Sequence, residues 1–402
     1  GGPPIENSVI VIDGNTIRAV GTEGSLRIPE GAKVIDTNGR TVLPGLMDMH
    51  VHLMILGHGD YDHWDATYPP MFRALIMPIS AKQLLMAGIT TVRDLGAPLD
   101  DIVAVKRKIE RGEIPGPRLF VSGPFLQKSN TPLTARFRWV VNGAEDARKK
   151  TREIIAGGAD VIKVIDQDQM TLDEITAIVD EAHKGGKTVA AHAHRSEEIR
   201  QGLRAGVDCL EHTGLGTKPG YEDDVLQMMK ERNASLFWCP TIEGLYLFEY
   251  TKQFPERVDD VRLKRDLPAE MYEDVMRSLK PISHLDYFRA VPRRIPTLPN
   301  KFRQLRESGV TLVVGTDSGI PLNFHFDSTW RELKTFVDLG MSPMDAIRAA
   351  TYWPALMLKQ ANLGTIAPGK LADIIVVDGD PLADISAVRN VVHVVKDGKQ
   401  FK

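Results

Sequence analysis

The sequence predicts an α/β fold: a (β/α)8 barrel with a small β-sandwich that is built from both ends of the chain. Two observations carry this prediction. Between the ends, eight short apolar runs alternate with amphipathic stretches of helical periodicity, which is typical of parallel βα units. Both ends are instead rich in short Val/Ile runs separated by Asp-Gly turns, which predicts antiparallel hairpins.

The eight apolar runs are, in chain order, LPGLMDMHVH, TTVRDLG, RLFVSG, DVIKV, TVAAHAH, CLEHTG, SLFWCPT and TLVVGTDS. Residues 170–186, between the fourth and fifth runs, contain Thr171 and, three positions later, Glu174, which predicts a helix that opens with a capping box. Eight strands separated by helices are what a closed barrel requires. The alternative is a doubly wound open sheet, but the glycine-rich first turn typical of that fold is not present.

These two sequence patterns divide the chain into two expected domains. Residues 1–43 together with 359–402 are expected to form the β-sandwich domain, and residues 44–358 the barrel. The segment 241–309 is too long for one connection and predicts a helical insertion that forms a lid or side wall. The first residues read as the middle of a strand pair, so we expect that an upstream leader or first strand has been removed.

Composition narrows the class of protein. The 402 residues are 43% hydrophobic and 26% charged, which is typical of a soluble globular enzyme. A formal net charge of −3 gives no reason to expect nucleic acid or a membrane surface as a partner, and no apolar run approaches the ~20 residues that span a bilayer. A cytoplasmic location is therefore expected, while the start of the chain leaves a secreted or periplasmic one open.

Metal-capable side chains fall at the carboxyl ends of several apolar runs. They are His50 and His52 in the first run, His192 in the fifth, His212 in the sixth and Asp317 in the eighth. In a barrel these ends converge at one mouth, and residues two apart on a strand point to the same face. Imidazoles and a carboxylate suit zinc or a similar divalent ion. Any one histidine alone is better explained as a hydrogen-bonded core residue, but the joint pattern favours a metal site.

Lys163 lies inside the fourth apolar run. Burial of its cation is costly and lowers the pKa of the amine towards neutrality. A neutral amine can add carbon dioxide and become a carbamate that bridges two metal ions. The alternative is a lysine whose amine extends to the barrel rim. The neighbouring histidines favour the carbamate.

Seven stretches resemble the amidohydrolase superfamily, in particular its imidazolonepropionase-like and prolidase-like branch, which includes Xaa-Pro dipeptidases and carboxypeptidases. They are LPGLMDMHVHL, AGITTVRDLG, GADVIKV, EAHKGGKTVAAHAH, AGVDCLEHTG, VGTDSGIP and LGTIAPGKLADIIVVDGDPL, and they occur in family order over nearly the whole chain. The resemblance implies the barrel with its β-sandwich, and a homo-oligomer is expected. It also implies two divalent ions, expected to be zinc, held by His50, His52, carboxylated Lys163, His192, His212 and Asp317.

The predicted activity is hydrolysis of an amide-type C–N bond by a metal-bound hydroxide. The expected small-molecule substrate is an N-acyl amino acid, a dipeptide or an aryl amide, including ochratoxin-type amides. Asp317 is expected to act as general base, and one of the metal ions, His194 or His212 to polarise the carbonyl oxygen. His325 resembles a site histidine of relatives, with a surface-loop histidine as the alternative.

Two alternative activities stay open at this point. The same metal core could hydrolyse a cyclic amide, a carbamate or urea, a lactone or a phosphotriester. A barrel that binds a metal or ligand without turnover is the other.

Residues that contact substrate are harder to predict. Lys128, Arg136 and Arg195 lie on predicted mouth loops, where they could bind a substrate carboxylate; solvated surface charges are the alternative. Tyr246 lies in an aromatic cluster that could line an apolar pocket. The segments SGPFLQKSNTPLT and VIKVIDQDQMTL lack the glycine-rich stretches of dipeptidase members, which leaves the acyl and amine halves of the substrate open.

Overall fold

The structure is a computed structural model that describes residues 2–253, 261–280 and 289–402. The strands of these residues are β1 Ser8–Asp13, β2 Thr16–Thr22, β3 Thr41–Pro44, β4 Leu46–Val51, β5 Ile89–Asp94, β6 Arg118–Val121, β7 Phe125–Gln127, β8 Arg138–Val140, β9 Val161–Val164, β10 Thr188–His192, β11 Cys209–Glu211, β12 Phe237–Cys239, β13 Thr311–Leu312, β14 Ile374–Val377, β15 Val391–Lys396 and β16 Lys399–Gln400.

The α-helices of the described ranges are α1 Tyr61–Thr67, α2 Met77–Met86, α3 Leu99–Glu110, α4 Ala144–Ala156, α5 Leu172–Lys184, α6 Ser196–Ala205, α7 Asp223–Arg232, α8 Glu243–Gln253, α9 Val261–Asp266, α10 Ala269–Ser278, α11 Val291–Arg294, α12 Leu298–Ser308, α13 Ser328–Asp338, α14 Pro343–Ala349 and α15 Tyr352–Met357. Within those ranges, none of the helices combines the length and the apolar composition that a bilayer crossing needs.

Eight parallel strands correspond to the eight predicted runs, namely β4, β5, β6 and β9 to β13. The first three pair in order, as do β9 to β13. Two backbone hydrogen bonds connect the groups at either side: Met49 donates to Val314 O over 2.9 Å, and Asp160 donates to Val121 O over 2.8 Å. The core is therefore an α/β barrel-like structure, as the alternation of runs predicted.

Two short strands were not predicted. β7 pairs in parallel with β9, with Phe125 opposite Lys163, and β8 pairs in turn with β7. No strand was expected at these residues, because three-residue strands are too short to show a period of two. Phe125 therefore lies beside Lys163, and Arg138 lies on the far side of Phe125.

Strands from both ends of the chain pair in one sheet. Its order is β16-β15-β14-β3, so the N-terminal β3 lies on the C-terminal β14. The predicted hairpin β1-β2 is also present, and Ile17 of β2 donates to Lys370 O over 2.8 Å. Asp397 and Gly398, with φ of 50° and 73°, form the predicted tight turn between β15 and β16. Stacking of these sheets as a sandwich stays a prediction.

The helix predicted from the capping box is α5. Glu174 N donates to Thr171 Oγ1 over 3.2 Å, and Thr171 N donates to the Glu174 carboxylate over 2.8 Å. This reciprocal pair satisfies two of the backbone N–H groups that a helix start leaves without partners.

The predicted helical insertion, residues 241–309, contains α8 to α12. Residues 254–260 and 281–288 of this segment lie outside the described residues. Part of the stretch expected to form the lid or side wall, DVMRSLKPISHLDYFRAV, therefore also lies outside them. Its α10 contacts the loop that follows β4, where Gly59 N donates to Ser278 Oγ over 2.8 Å.

Candidate metal centre

The predicted ligand residues lie at the carboxyl ends of the barrel strands. His50 lies in β4 and His52 directly follows it, His192 is the last residue of β10, and His212 directly follows β11. Asp317 lies in the loop after β13. The parallel order of the strands thus brings residues from four distant parts of the sequence to one end of the barrel.

The side chains converge on the carboxylate of Asp317. Its Oδ1 lies 3.1 Å from His52 Nε2 and 3.5 Å from His50 Nε2, and its Oδ2 lies 3.9 Å from His212 Nδ1. The ring of His192 lies 4.9 Å from that of His212 between centroids. These distances are within the span of ligands that share one or two ions.

Lys163 lies in β9 beside the cluster, opposite Ala190 of β10. It is fully buried, and its charge acts on His50 and Asp317. Burial lowers the pKa of the amine, although the Glu211 carboxylate acts in the opposite direction. The amine is therefore shifted towards the neutral form that can react with carbon dioxide.

Three buried nitrogen atoms of this cluster have no hydrogen-bond partner among the described residues. They are His50 Nε2, His212 Nε2 and Lys163 Nζ. A buried polar atom without a partner costs about 1–3 kcal/mol, so natural structures rarely keep one without a ligand or water. Imidazole lone pairs beside a carboxylate are what a divalent transition metal binds, so the residues present fit such an ion.

The protonation states also suit a metal. Burial, together with the charge of Lys163, lowers the pKa of His50 to about 4, and burial lowers the pKa values of His192 and His212 well below the ordinary range. Burial opposes ionisation of Asp317, but His50 and His52 hold the pKa of this carboxyl at about 2. At neutral pH the imidazoles of His50, His192 and His212 are therefore neutral and Asp317 is a carboxylate, which are the forms that bind metals.

Glu211 orients His50 from the outside of the cluster. His50 Nδ1 lies 2.9 Å from Glu211 Oε2, and the buried Arg93 donates to Glu211 Oε1 over 2.6 Å and to Met49 O over 2.7 Å. Burial would raise the pKa of Glu211, but Arg93 and His50 hold it well below its ordinary value. Nδ1 of His50 thus carries the proton, and Nε2 points its lone pair at the cluster. Glu211 was not predicted as a site residue; its signal in the sequence is a charge inside the apolar run CLEH.

Asp48 ties β4 to the loop that carries Asp317. Its Oδ2 accepts hydrogen bonds from Thr316 Oγ1 and Thr329 Oγ1, both over 2.8 Å, and its Oδ1 accepts from His50 N over 3.2 Å. Burial raises the pKa of this carboxyl to about 6. Asp48 was also missed, although an acidic residue within LMDMHV is a comparable signal.

Two of the predicted ligands have unusual backbone conformations. His212 and Asp317 have φ of 76° and 59°, in the left-handed region that residues other than glycine rarely adopt. The turn after His212 needs Gly214, because a Cβ there would lie 1.6 Å from Ala193 O. Such strain is found mostly where the surrounding structure holds a functional side chain in place.

His194 lies against the ring of His212, whereas His325 lies against the backbone of His52. The ring of His194 stacks on His212, with centroids 4.4 Å apart and planes 11° apart, and burial lowers its pKa to about 4. His325 is buried as well, so the surface-loop alternative is excluded. Its Nε2 donates to His52 O over 3.1 Å, so it supports the backbone of a predicted ligand.

Arg195, a predicted carboxylate-binding residue, is already surrounded by carboxylates of the chain. Its guanidinium lies 2.7 Å from Asp166 Oδ1, 2.5 Å from Asp168 Oδ2 and 2.8 Å from Glu198 Oε1. These contacts use Nε and Nη2 of the guanidinium and balance its charge with carboxylates of the chain.

Lys128 and Arg136 are engaged in the same way. Lys128 Nζ lies 2.7 Å from Glu174 Oε1, and Arg136 Nη2 lies 3.1 Å from Asp101 Oδ2. Tyr246 is half-buried and packs against the main hydrophobic core. The substrate-binding roles of these residues stay predictions.

Arg138, which the sequence analysis did not single out, has a different environment. Its guanidinium lies 5.3 Å from the ring centroid of Phe125 and 5.7 Å from that of Phe137, and it donates to Gln127 Oε1 over 3.1 Å. In the described part of the chain it has no ion pair. The Phe125 ring in turn lies 6.1 Å from the ring of His52. Arg138 is thus a half-buried cation that is separated from His52 of the centre by the ring of Phe125.

An α/β barrel with histidines and a carboxylate at its strand ends belongs to a class of barrel enzymes whose sites are built at this face. Residues 41–401 match the model of the Amidohydrolase family, and the chain belongs to that family.

Named relatives agree with this membership. The chain is 26% identical over 452 aligned residues to an ochratoxinase of Aspergillus niger, covering all of this chain and 84% of that protein. It is 24% identical to an imidazolonepropionase of Streptomyces griseus subsp. griseus, covering 93% and 86%. A solved Xaa-Pro dipeptidase with bound methionine in its active site shares 28% identity, with a TM-score of 0.75, over 98% of this chain and 95% of that one. The predicted resemblance is therefore confirmed, and the chain is a hydrolase of this family.

Proposed function

We propose that the chain is a metal-dependent hydrolase that cleaves an amide-type C–N bond in a substrate with a free carboxylate, such as an N-acyl amino acid or a dipeptide. One observation carries this proposal. The buried atoms His50 Nε2, His212 Nε2 and Lys163 Nζ have no partner beside the carboxylate of Asp317. Among the described residues this combination suits a cation and a reacting water better than a packed core.

The proposed cofactor is a pair of divalent ions, with zinc preferred for the imidazole-rich donor set. The residues that would hold it are His50, His52, carboxylated Lys163, His192, His212 and Asp317. When bound, such ions supply Lewis acidity, which lowers the pKa of water towards about 7 and polarises a carbonyl oxygen. Lys163 suits carboxylation because burial favours its neutral, nucleophilic amine.

The proton transfers are assigned to side chains of the centre. Asp317, whose pKa is about 2, is ionised at neutral pH and can take a proton from the attacking water. It then gives this proton to the amine nitrogen as the C–N bond breaks. His194, which stacks on His212 and is not needed as a ligand, is assigned as the donor to the carbonyl oxygen. His325 keeps His52 in position through the backbone.

Arg138 supports a substrate that carries a carboxylate. It is half-buried beside Phe125, and Phe125 lies against the ring of His52. A guanidinium without an ion pair in the described residues can bind a carboxylate through two parallel hydrogen bonds. The dipeptidase name of one relative supports a peptide-like amide as well.

The proposal also includes the domain organisation, the oligomeric state and the size of the substrate. Residues 1–43 and 359–402 form a β-sandwich domain beside a barrel of residues 44–358, and the insertion covers part of the site. The chain forms a homo-oligomer and acts on a small molecule. The paired sheets of both chain ends support the first of these.

A substrate panel with metal analysis tests the proposal. The metal-loaded enzyme is assayed with N-acyl amino acids, dipeptides, the same compounds with an amidated carboxylate, lactones and phosphotriesters. We expect turnover of the amides with a free carboxylate, its loss to a chelator and its return with zinc. Turnover of lactones or phosphotriesters alone would show that the chain catalyses those reactions instead. Fully metal-loaded enzyme that turns over nothing in the panel would contradict the proposal.

A further inference from the structure

A second cluster of ligand-type side chains lies outside the centre described above. His58 lies in the loop after β4, His63 lies in the first turn of α1, and Asp274 lies on α10 of the insertion. Their nitrogen and carboxylate atoms lie within 4.8 Å of one another. The cluster thus joins the loop that leaves the metal centre to a helix far away in the sequence.

The distances suit a single ion. Asp274 Oδ2 lies 2.9 Å from His63 Nε2 and 3.5 Å from His58 Nε2. Two ligands of a tetrahedral zinc ion, with bonds of about 2.0–2.1 Å, lie roughly 3.3 Å apart. These two separations lie on either side of this value, and all three ligand atoms lie within 4.8 Å of one another.

His58 directs a buried ring nitrogen at Asp274. Its side chain is only 2% exposed, and its Nε2 has no hydrogen-bond partner among the described residues. Its Nδ1 lies 2.8 Å from the carbonyl oxygen of Asp60, to which the tautomer with the proton on Nδ1 donates, and 3.0 Å from Asp60 N, which donates to the other tautomer. The tautomer with the proton on Nδ1 leaves the lone pair of Nε2 directed at Asp274, as in protein metal sites whose second imidazole nitrogen binds a backbone carbonyl.

The side of the cluster that His63 forms is open to solvent. The His63 side chain is 45% exposed, and its ring stacks on His58 at 22° with centroids 5.4 Å apart. An ion could therefore enter from solvent and keep water as its fourth ligand. Tyr68 also donates to Asp274 Oδ2 over 2.8 Å, and Arg277 donates to Oδ1 over 3.0 Å. Both hold the carboxylate in place.

We propose that His58, His63 and Asp274 form a separate binding site for one divalent transition-metal ion, zinc or cobalt by chemistry, that fastens α10 to the loop after β4. The donor set of two imidazoles and one carboxylate selects such ions over magnesium or calcium. This site does not depend on the proposed reaction. It is distinct from the centre, since none of its three ligands belongs to the predicted set.

Metal content and thermal stability of three proteins test the site. The wild type, His63→Ala and the control His183→Ala are each loaded with zinc, freed of loose metal and analysed for zinc per chain. His183 matches His63, because it is 44% exposed and its Nε2 lies 2.9 Å from a carboxylate, that of Asp208. In the part of the chain that the structure describes, no third ligand accompanies this control pair.

We expect His63→Ala to bind one zinc ion fewer than the wild type and His183→Ala to bind the same number. Zinc should raise the Tm of the wild type and the control by the same amount, and the part of this rise due to the ion held by His58, His63 and Asp274 should be absent in His63→Ala. The affinity for that ion should fall at least about tenfold, since even loss of an outer hydrogen-bond partner costs 10–100-fold.

Asp274→Asn provides a second test that keeps the shape of the side chain. It should also lose one ion, and cobalt added to wild-type protein whose main centre already holds zinc should give a visible absorption band that both variants lack. Equal zinc content and equal zinc-dependent Tm in the wild type and His63→Ala would overturn the proposal. In that case the cluster is a hydrogen-bonded network between histidines and a carboxylate.

Discussion

The polar groups at the metal centre and the cations around it differ in how their hydrogen-bonding capacity is used. At the centre, His50 Nε2, His212 Nε2 and Lys163 Nζ are buried without partners in the described residues. Around it, Arg195 and Lys128 are bonded to carboxylates of the chain itself. A buried polar atom without a hydrogen-bond partner indicates a missing ligand, whereas a surface cation that is already paired indicates a structural role. Functional residues are therefore better identified from buried polar atoms without partners than from charge alone.

The largest effect is expected from Asp317→Asn, which removes the proposed base. Turnover should fall about 10²- to 10⁴-fold, because an amide cannot take the proton from water. The circular dichroism spectrum and Tm of the zinc-loaded protein show whether the fold is kept. The control is Asp338→Asn, an exposed carboxylate paired with Lys334 on one helix. Activity within a few-fold of the wild type in Asp317→Asn would remove this residue from the role of base.

Glu211→Gln tests whether the lone pair of His50 is directed by its outer partner. The substitution leaves the buried Arg93 without an opposite charge, so metal affinity should fall about 10- to 100-fold and stability by about 3–5 kcal/mol. Competition with a chelator measures the first quantity, and urea unfolding the second. Glu307→Gln, at an exposed pair with Arg303, serves as the control. An unchanged metal Kd would show that Glu211 does not orient the ligand.

Arg138→Met tests whether this cation, unlike the paired cations, binds the substrate carboxylate. We expect KM to rise about tenfold for substrates with a free carboxylate, with kcat nearly unchanged, since a charged hydrogen bond contributes about 1.5–3 kcal/mol and this residue is only half-buried. The matched control is Arg136→Met, whose guanidinium is paired with Asp101. A larger effect from Arg136 than from Arg138 would reverse the assignment.

The smallest effect concerns Lys301, a buried cation whose amine donates to the carbonyl oxygens of Gly214 and Gly216, each over 2.9 Å. Burial, with Arg294 nearby, lowers its pKa from 10.5 to about 8. Between these pH values the unfolded chain holds a proton that the folded chain has released, so the free energy of unfolding should rise with pH. Denaturant unfolding from pH 8 to 10.5 should show a smaller rise in the free energy of unfolding for Lys301→Met than for the wild type. The control Lys334→Met should show the same rise as the wild type. Equal slopes in all three proteins would contradict this.

The barrel and its ligand cluster could be predicted because their signals are local or topological. Each strand of the core appears as an apolar run, and parallel order then brings the run ends together. His50 and His212 are therefore predictable as neighbours without knowledge of any side-chain contact.

Other features had no local signal. The partners of Arg93 and Lys128 are Glu211 and Glu174, which are distant in sequence, so only the folded chain shows that these cations are satisfied. β7 and β8 have three residues each, too few to show a strand period, and Arg138 was missed with them. Substrate contacts depend on such details, which explains why they were the weakest part of the sequence prediction.

The most direct test of the account is an anomalous-diffraction map of the zinc-loaded protein, recorded at the zinc absorption edge. The account predicts two peaks enclosed by His50, His52, His192, His212 and Asp317, with extra electron density on Lys163 Nζ that joins them. A map without peaks at this end of the barrel, and with an unmodified Lys163, would contradict it.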